Sequence, residues 1–194
     1  MLRLQDKNFR AMQVKESFIQ GLVEITPRIF ADERGIFFES YNQQMFEKHG
    51  LPSVFVQDNQ SFSVKGTLRG LHFQTDPFAQ GKLVRVISGK VLDIAVDIRP
   101  ESATFGQHAS FILDGQSNQM VYIPQGFAHG FLALEDTILS YKCTQLYNKT
   151  CESGIIWNDP QLNIQWGIAH PIVSDKDQLL PRFQSIQEKQ RLDA

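Results

Sequence analysis

The stretch from 54 to 147 constrains the fold most. It breaks into short runs of strand-forming residues at 54–63, 67–74, 83–87, 91–98, 105–113, 119–123, 130–134 and 138–147, separated by turns rich in Gly, Pro, Asn and Asp. The run at 91–98 shows the two-residue period of a strand. Leu92, Ile94, Val96 and Ile98 share one face, and Asp93, Asp97 and Arg99 fall on the other. The runs 83–87 and 91–98 read as a hairpin closed at Ser88-Gly89. Upstream, 13–24 and 27–30 read as early strands, and DERG at 32–35 turns into the aromatic strand Ile36-Phe37-Phe38-Glu39. The best helix candidate is 41–49, YNQQMFEKH, stopped by Gly50 and Pro52. Closely spaced strands with few helices predict an all-β sandwich or barrel, and a jelly roll at this length. The polar tail, 175–194, reads as a loop with a short helix.

The 194 residues predict one domain with a sizeable core, and fifteen Phe suit a β-rich interior. A net charge of -2 gives no bulk attraction to nucleic acid or a membrane surface. The first residues lack the apolar core of a signal peptide, and no run of about 18 apolar residues exists to span a membrane. Cys143 and Cys151 form no CxxC and no Cys/His cluster, so a reduced pair in the cytoplasm is expected.

His72 lies in TLRGLHFQ, behind Arg69 and Gly70 and ahead of Lys82. In a regular strand it shares a face with Leu68, Gly70 and Gln74, and Gly70 leaves room there for something bulky. A lone histidine is more often a hydrogen-bonded structural residue; the Arg, Gly and Lys shift the balance toward an anion-tolerant pocket. His129, in IPQGFAHGF, is equally readable as a turn-stabilising residue. A metal-binding cupin uses a His-x-His pair, but position 74 is Gln, so no metal is expected. Dinucleotide, P-loop and nucleophile-elbow motifs are absent from the sequence. Tyr141 and Tyr147 share a face of the run at 138–147, where a packed aromatic competes with a general acid. Gln57, Asn59, Ser61 and Ser63 form a polar strip that either meets solvent or lines a polar cavity. These residues describe a polar, partly cationic pocket for an anionic ligand and leave the reaction open.

The ordered motifs DERGIFFESYN (32–42), FVQDNQS (55–61), TLRGLHFQ (67–74), QGKLVRV (80–86), VDIRPESATFG (96–106), IPQGFAHGFL (123–132), YKCTQLY (141–147) and IIWNDPQLNIQW (155–166) closely resemble the dTDP-4-dehydrorhamnose 3,5-epimerase family over about 19–180. The resemblance implies a cupin-type jelly roll acting in dTDP-L-rhamnose synthesis without cofactor or metal. Residues 1–13 look like an extension to which no role is assigned. Carried over by motif, His72 is the base, Asp177 the carboxylate that orients it (Asp175 lies two residues away), Tyr141 the facing acid and Lys82 the stabiliser of the enolate oxygen. Arg34, Glu39, Gln57, Asn59, Arg69, His129 and Glu152 match substrate-binding positions, and Tyr147 matches the aromatic that stacks on thymine. The chemistry suits these types. A hydrogen α to a ketone needs a base that accepts a proton near neutrality and a cation where charge develops; inversion needs a second acid on the other face. The family forms dimers, so a homodimer is expected. Single-centre epimerases on related sugar nucleotides keep the same His and Tyr. A carbohydrate-binding jelly roll and a metal cupin oxidase are the readings from other classes.

Overall fold

The computed structural model describes residues 11–192; positions 1–10 of the expected N-terminal extension lie outside the described residues. Two sheets face each other as a jelly roll. One runs β1 (Gln13–Glu16), β2 (Val23–Thr26), β10 (Met120–Ile123), β7 (Lys82–Ser88), β12 (Thr137–Cys143) and β5 (Gln57–Ser63). The other runs β13 (Glu152–Gly154), β6 (Thr67–Gln74), β11 (Phe127–Ala133), β8 (Lys90–Asp97) and β9 (His108–Asp114), with the short β14 (Ile172–Val173) parallel to β6. A separate ribbon pairs β3 (Ile29–Asp32) with β4 (Gly35–Phe38). The helices are α1 (Gln43–Lys48), α2 (Asp175–Gln178) and α3 (Phe183–Leu192).

Strand alternation sorts side chains into three apolar layers. Val84, Val86, Val91, Ala95, Phe111, Val121, Phe131 and Leu139 fill the space between the sheets. Leu68, Leu71, Ile94, Val96, Ala128 and Leu132 face outward from the second sheet and are covered by Ile155, Leu162, Trp166 and Phe183. Val23, Ile25, Leu83 and Met120 on the first sheet are covered by Phe46 and Leu51. Each fully buried aliphatic or aromatic side chain contributes about 1.5–3 kcal/mol. Asn42 caps α1 by accepting the Met45 N–H at 3.2 Å, which aims Phe46 into this layer.

Four local expectations are corrected. First, β7 and β8 do not pair: β7 pairs with β10 and β12, and β8 with β9 and β11. Gly89, at φ +84°, carries the chain between the two sheets; any Cβ there would strike the Asp136 carbonyl. Second, the early strand at 13–24 is interrupted by a turn between β1 and β2. Third, β12 stops at Cys143, so Tyr147 lies in the following loop and strand parity does not relate it to Tyr141. Fourth, Leu68 and His72 point to opposite sides of β6. The register slips opposite Gly130, where Phe131 meets Arg69 and His129 meets His72. Gly70, at φ +128°, makes this possible: a Cβ would come within 2.6 Å of Gly130 Cα. The slip inserts an extra residue, so Arg69 and His72 face inward although three apart. The tail forms two short helices, and Phe183 packs on Phe105 at 5.2 Å between ring centroids.

Candidate active site

The interior between the sheets is apolar on one part and open on another, where a cavity of about 600 Å³ remains. Its lining gathers Arg69, His72, Lys82, His129, Tyr141 and Asp177, which the sequence spreads over more than a hundred positions. His72 enters from β6 in one sheet and Tyr141 from β12 in the other, so the two face each other across the cavity. The polar strip on β5 also faces inward, and Ser61 lines the cavity.

His72 Nε2 lies 2.8 Å from Asp177 Oδ1, while Asp177 Oδ2 accepts the Gly70 N–H at 3.1 Å. Ser174 caps α2 by accepting the Asp177 N–H at 3.1 Å, which fixes the carboxylate behind the imidazole. Asp175 is exposed, so position 177 is the one that meets His72. Burial pushes the Asp177 carboxyl up, but its bonds to His72, Gly70 and Ser174 outweigh that and hold it below the ordinary value. An ionised Asp177 makes Nε2 the hydrogen-bearing nitrogen and leaves Nδ1 as the one free to take a proton.

Lys82 is almost fully buried, and its Nζ donates to the His72 carbonyl at 3.4 Å and sits 5.9 Å from the Tyr141 ring centroid. Burial pulls its ammonium down; Cys143, Asp93 and Glu152 oppose that. Tyr141 is shifted the other way, mainly by burial, with Cys143 and Glu152 adding to it and Arg69 opposing; its phenol holds its proton more tightly than usual.

The remaining expected residues divide. Tyr147 donates its hydroxyl to Glu152 at 2.8 Å, its N–H is accepted by Gln57 at 2.8 Å, and Gln57 in turn donates to Asn59 at 3.0 Å. Lys176, which also lines the cavity, pairs with Glu152 at 2.6 Å and ties this chain of contacts to it. Arg34 and Glu39 are not brought there: Arg34 is paired with Asp32 on the β3–β4 ribbon, and Glu39 accepts from Asn42. Sequence reasoning passed over Lys176 and Asp93. Lys176 adjoins Asp177 and could have been flagged by that alone. Asp93 accepts from His129 Nε2 at 2.8 Å from full burial, and on an alternating strand it looks like an ordinary outward-facing carboxylate. Among the described residues, no group of three or more His, Cys, Asp or Glu is arranged to hold a metal ion, and no helix is long and apolar enough to cross a membrane.

A sequence profile described as dTDP-4-dehydrorhamnose 3,5-epimerase matches residues 16–185. The dTDP-4-dehydrorhamnose 3,5-epimerase of Shigella flexneri is 48% identical over 168 residues, covering 86% of this chain and 93% of that one. A Bacillus anthracis dTDP-4-dehydrorhamnose 3,5-epimerase crystallised with TDP and PPi superposes with a TM-score of 0.87 at 44% identity, over 89% of this chain and 100% of that one. A Legionella pneumophila dTDP-6-deoxy-D-glucose-3,5-epimerase in complex with dTDP-4-keto-L-rhamnose gives 0.82 at 44% identity, over 89% and 99% of the two chains. Fold and sequence agree across nearly the whole described chain, which belongs to the dTDP-4-dehydrorhamnose 3,5-epimerase family.

Proposed function

We propose that the chain is a cofactor-independent epimerase that inverts C3 and C5 of dTDP-4-keto-6-deoxyglucose to give dTDP-4-keto-L-rhamnose. One observation carries this reading: His72, backed by Asp177, and Tyr141 project from opposing sheets into one cavity, with Lys82 buried beside both. His72 Nδ1 removes the hydrogen next to the C4 ketone. The electron pair moves onto the ketone oxygen, where the Lys82 ammonium meets charge that exists only as the proton leaves. Tyr141 returns a proton to the opposite face of the same carbon, and the two side chains re-equilibrate with solvent. No electrons leave the sugar, so the cycle balances without an oxidant.

Arg69 and Lys176 offer cations to the diphosphate, His129 contacts the sugar, and Tyr147 stacks on the thymine with Glu152, Gln57 and Asn59 around it. Arg34 and Glu39 lie on or beside a ribbon whose Phe30, Ile36 and Phe37 are 45–66% exposed. Apolar surface of that kind favours cover by another chain. In a homodimer the ribbon of one subunit reaches the pocket of the other, which supplies the two residues missing from it. The free thiols of Cys143 and Cys151 suit a reducing cytoplasm.

Incubation with dTDP-4-keto-6-deoxyglucose in deuterated water tests the reaction. The product should carry deuterium at both C3 and C5. Label at one carbon alone assigns a single-centre epimerase, and unlabelled, unchanged substrate assigns a binding protein. The dimer has its own test: Arg34→Ala and His72→Asn variants, each inactive alone, should regain activity when their subunits are exchanged.

A further inference from the structure

His129, which lines the cavity, is itself half of a histidine–carboxylate pair, and the proposed cycle leaves its carboxylate, Asp93, without a stated task. His72 and His129 are direct cross-strand partners on β6 and β11. Each is held through Nε2 at 2.8 Å by a buried aspartate, Asp177 for the first and Asp93 for the second. The surroundings of the two carboxylates differ. Asp177 has donors on both oxygens. The Asp93 side chain is 0% exposed, its Oδ2 accepts from His129, and its Oδ1 is buried with no partner. A buried oxygen left in that state costs about 1–3 kcal/mol. Its hydrogen bond goes to His129, a pocket residue, and to no turn or cap. Its charge is among those that favour the Lys82 ammonium.

We infer that Asp93 is a positioning residue of the epimerase site: it holds His129 with Nδ1 free for the substrate and supplies the counter-charge that keeps Lys82 an ammonium beside the reacting ketone. This rests on the epimerase reading above. The groups around Lys82 are Tyr141 and Cys143 from β12, His72 from β6, Glu152 from β13, and Asp93 from β8 with its partner His129 on β11. Burial works against the ammonium, and Cys143, Asp93 and Glu152 work for it. Asp93 is the more deeply buried of those two carboxylates, so its field is the less screened by water. Without it the Lys82 ammonium loses its proton at lower pH, and a cycle that needs that ammonium fails earlier on the alkaline side.

Asp93→Asn keeps the shape and an acceptor for His129 while removing the charge. Its kcat should fall roughly 10–100-fold, as when a preorganised charge is weakened, with KM changed less than about threefold. The alkaline limb of its kcat profile should move toward neutral pH, which a merely structural residue would not cause. A kcat within about twofold of wild type, or an unmoved alkaline limb, overturns the assignment. If the variant does not fold, ¹⁵N-histidine NMR of the wild-type protein decides: His129 should be the Nε2–H form, and an Nδ1–H form overturns the proposal. His72→Asn, assayed alongside, separates the two levels of the argument. An active His72→Asn sinks the epimerase reading itself, whereas an inactive His72→Asn beside a wild-type-like Asp93→Asn sinks only the role of Asp93.

Discussion

Asp93 and Asp97 stand four residues apart on the same face of β8, both fully buried, and only one has its hydrogen bonds closed. Asp97 accepts from Arg99 Nε at 2.8 Å and Nη2 at 2.7 Å, from the Ser102 hydroxyl at 2.5 Å and from the Thr104 hydroxyl at 2.7 Å. Burial pushes its carboxyl up, but these donors more than offset that and bring it down to about 2. Asp93 has one donor and a bare oxygen. Residue type, strand and depth are the same, so the difference lies in what the surrounding chain supplies. At Asp97 the donors come from the loop that follows β8, and the carboxylate ties that loop to the strand. At Asp93 the one donor is His129, which lines the cavity. The contrast extends beyond β8. Asp159 is closed by the N–H groups of Gln161, Leu162 and Phe183. Ser61 Oγ, which lines the cavity, is buried and unpartnered like Asp93 Oδ1.

The contrast predicts that groups aimed into the cavity govern activity and groups that tie loops to strands govern stability. His72→Asn should show the largest effect, a loss of about 10²–10⁴-fold or more in turnover, with no deuterium entering the substrate and an unchanged melting temperature. Exchange at a near-normal rate in that variant would break the contrast at its centre. Tyr141→Phe keeps the ring but loses the hydroxyl. Enolate formation should survive, so NMR in deuterated water should show exchange with retention, or one inversion and a stall; wild-type product would move the facing acid elsewhere. Asp97→Asn should do the reverse. It should leave kcat within about twofold and lower unfolding stability in urea at neutral pH by about 2–3 kcal/mol, the range for hydrogen bonds to a charged group. Because the folded Asp97 is depressed, its contribution is complete above the ordinary carboxylate range. It drains away as pH falls toward about 2, so the wild type should lose part of its advantage over the variant across that window. A constant gap would show that the charge is not what holds the loop. Tyr147→Ala should be mildest. Stacking adds about 0.5–1.5 kcal/mol, so KM should rise roughly 2- to 12-fold with kcat nearly unchanged, and an unaltered KM would place the base elsewhere.

The sequence carried the architecture well because strand alternation is a local signal. The spacing of turns pointed to a two-sheet jelly roll, and Leu92, Ile94, Val96 and Ile98 share a face, now seen to meet the C-terminal segment. What failed were places where a glycine overrides the local pattern. Ser88-Gly89 looks like a hairpin turn, but Gly89 sends the chain to the other sheet. Alternation puts Leu68 beside His72, but Gly70 adds a residue and separates them. The cavity was only partly legible. Gln57, Asn59, Ser61 and Ser63 betrayed a polar lining through their parity, whereas no spacing rule links His72 to Asp177, which meet only because α2 returns to β6. Asp93 was hidden for the opposite reason. A carboxylate alternating with aliphatics is what a solvent-facing strand also shows, and only the opposing sheet makes that face an interior.

The slip at Gly70 also has a meaning for anyone altering this scaffold. Because Arg69 and His72 share a side through one extra residue, the His72 imidazole is placed by a count of residues as much as by its identity. Straightening the strand without removing a residue would restore regular alternation and leave Arg69 and His72, three apart, on opposite sides of β6. With Arg69 still inward, the imidazole would turn toward Trp166 and Phe183, every cavity side chain intact and the proposed base facing the wrong layer. Transplanting this chemistry into another barrel therefore means copying the two facing glycines along with the histidine.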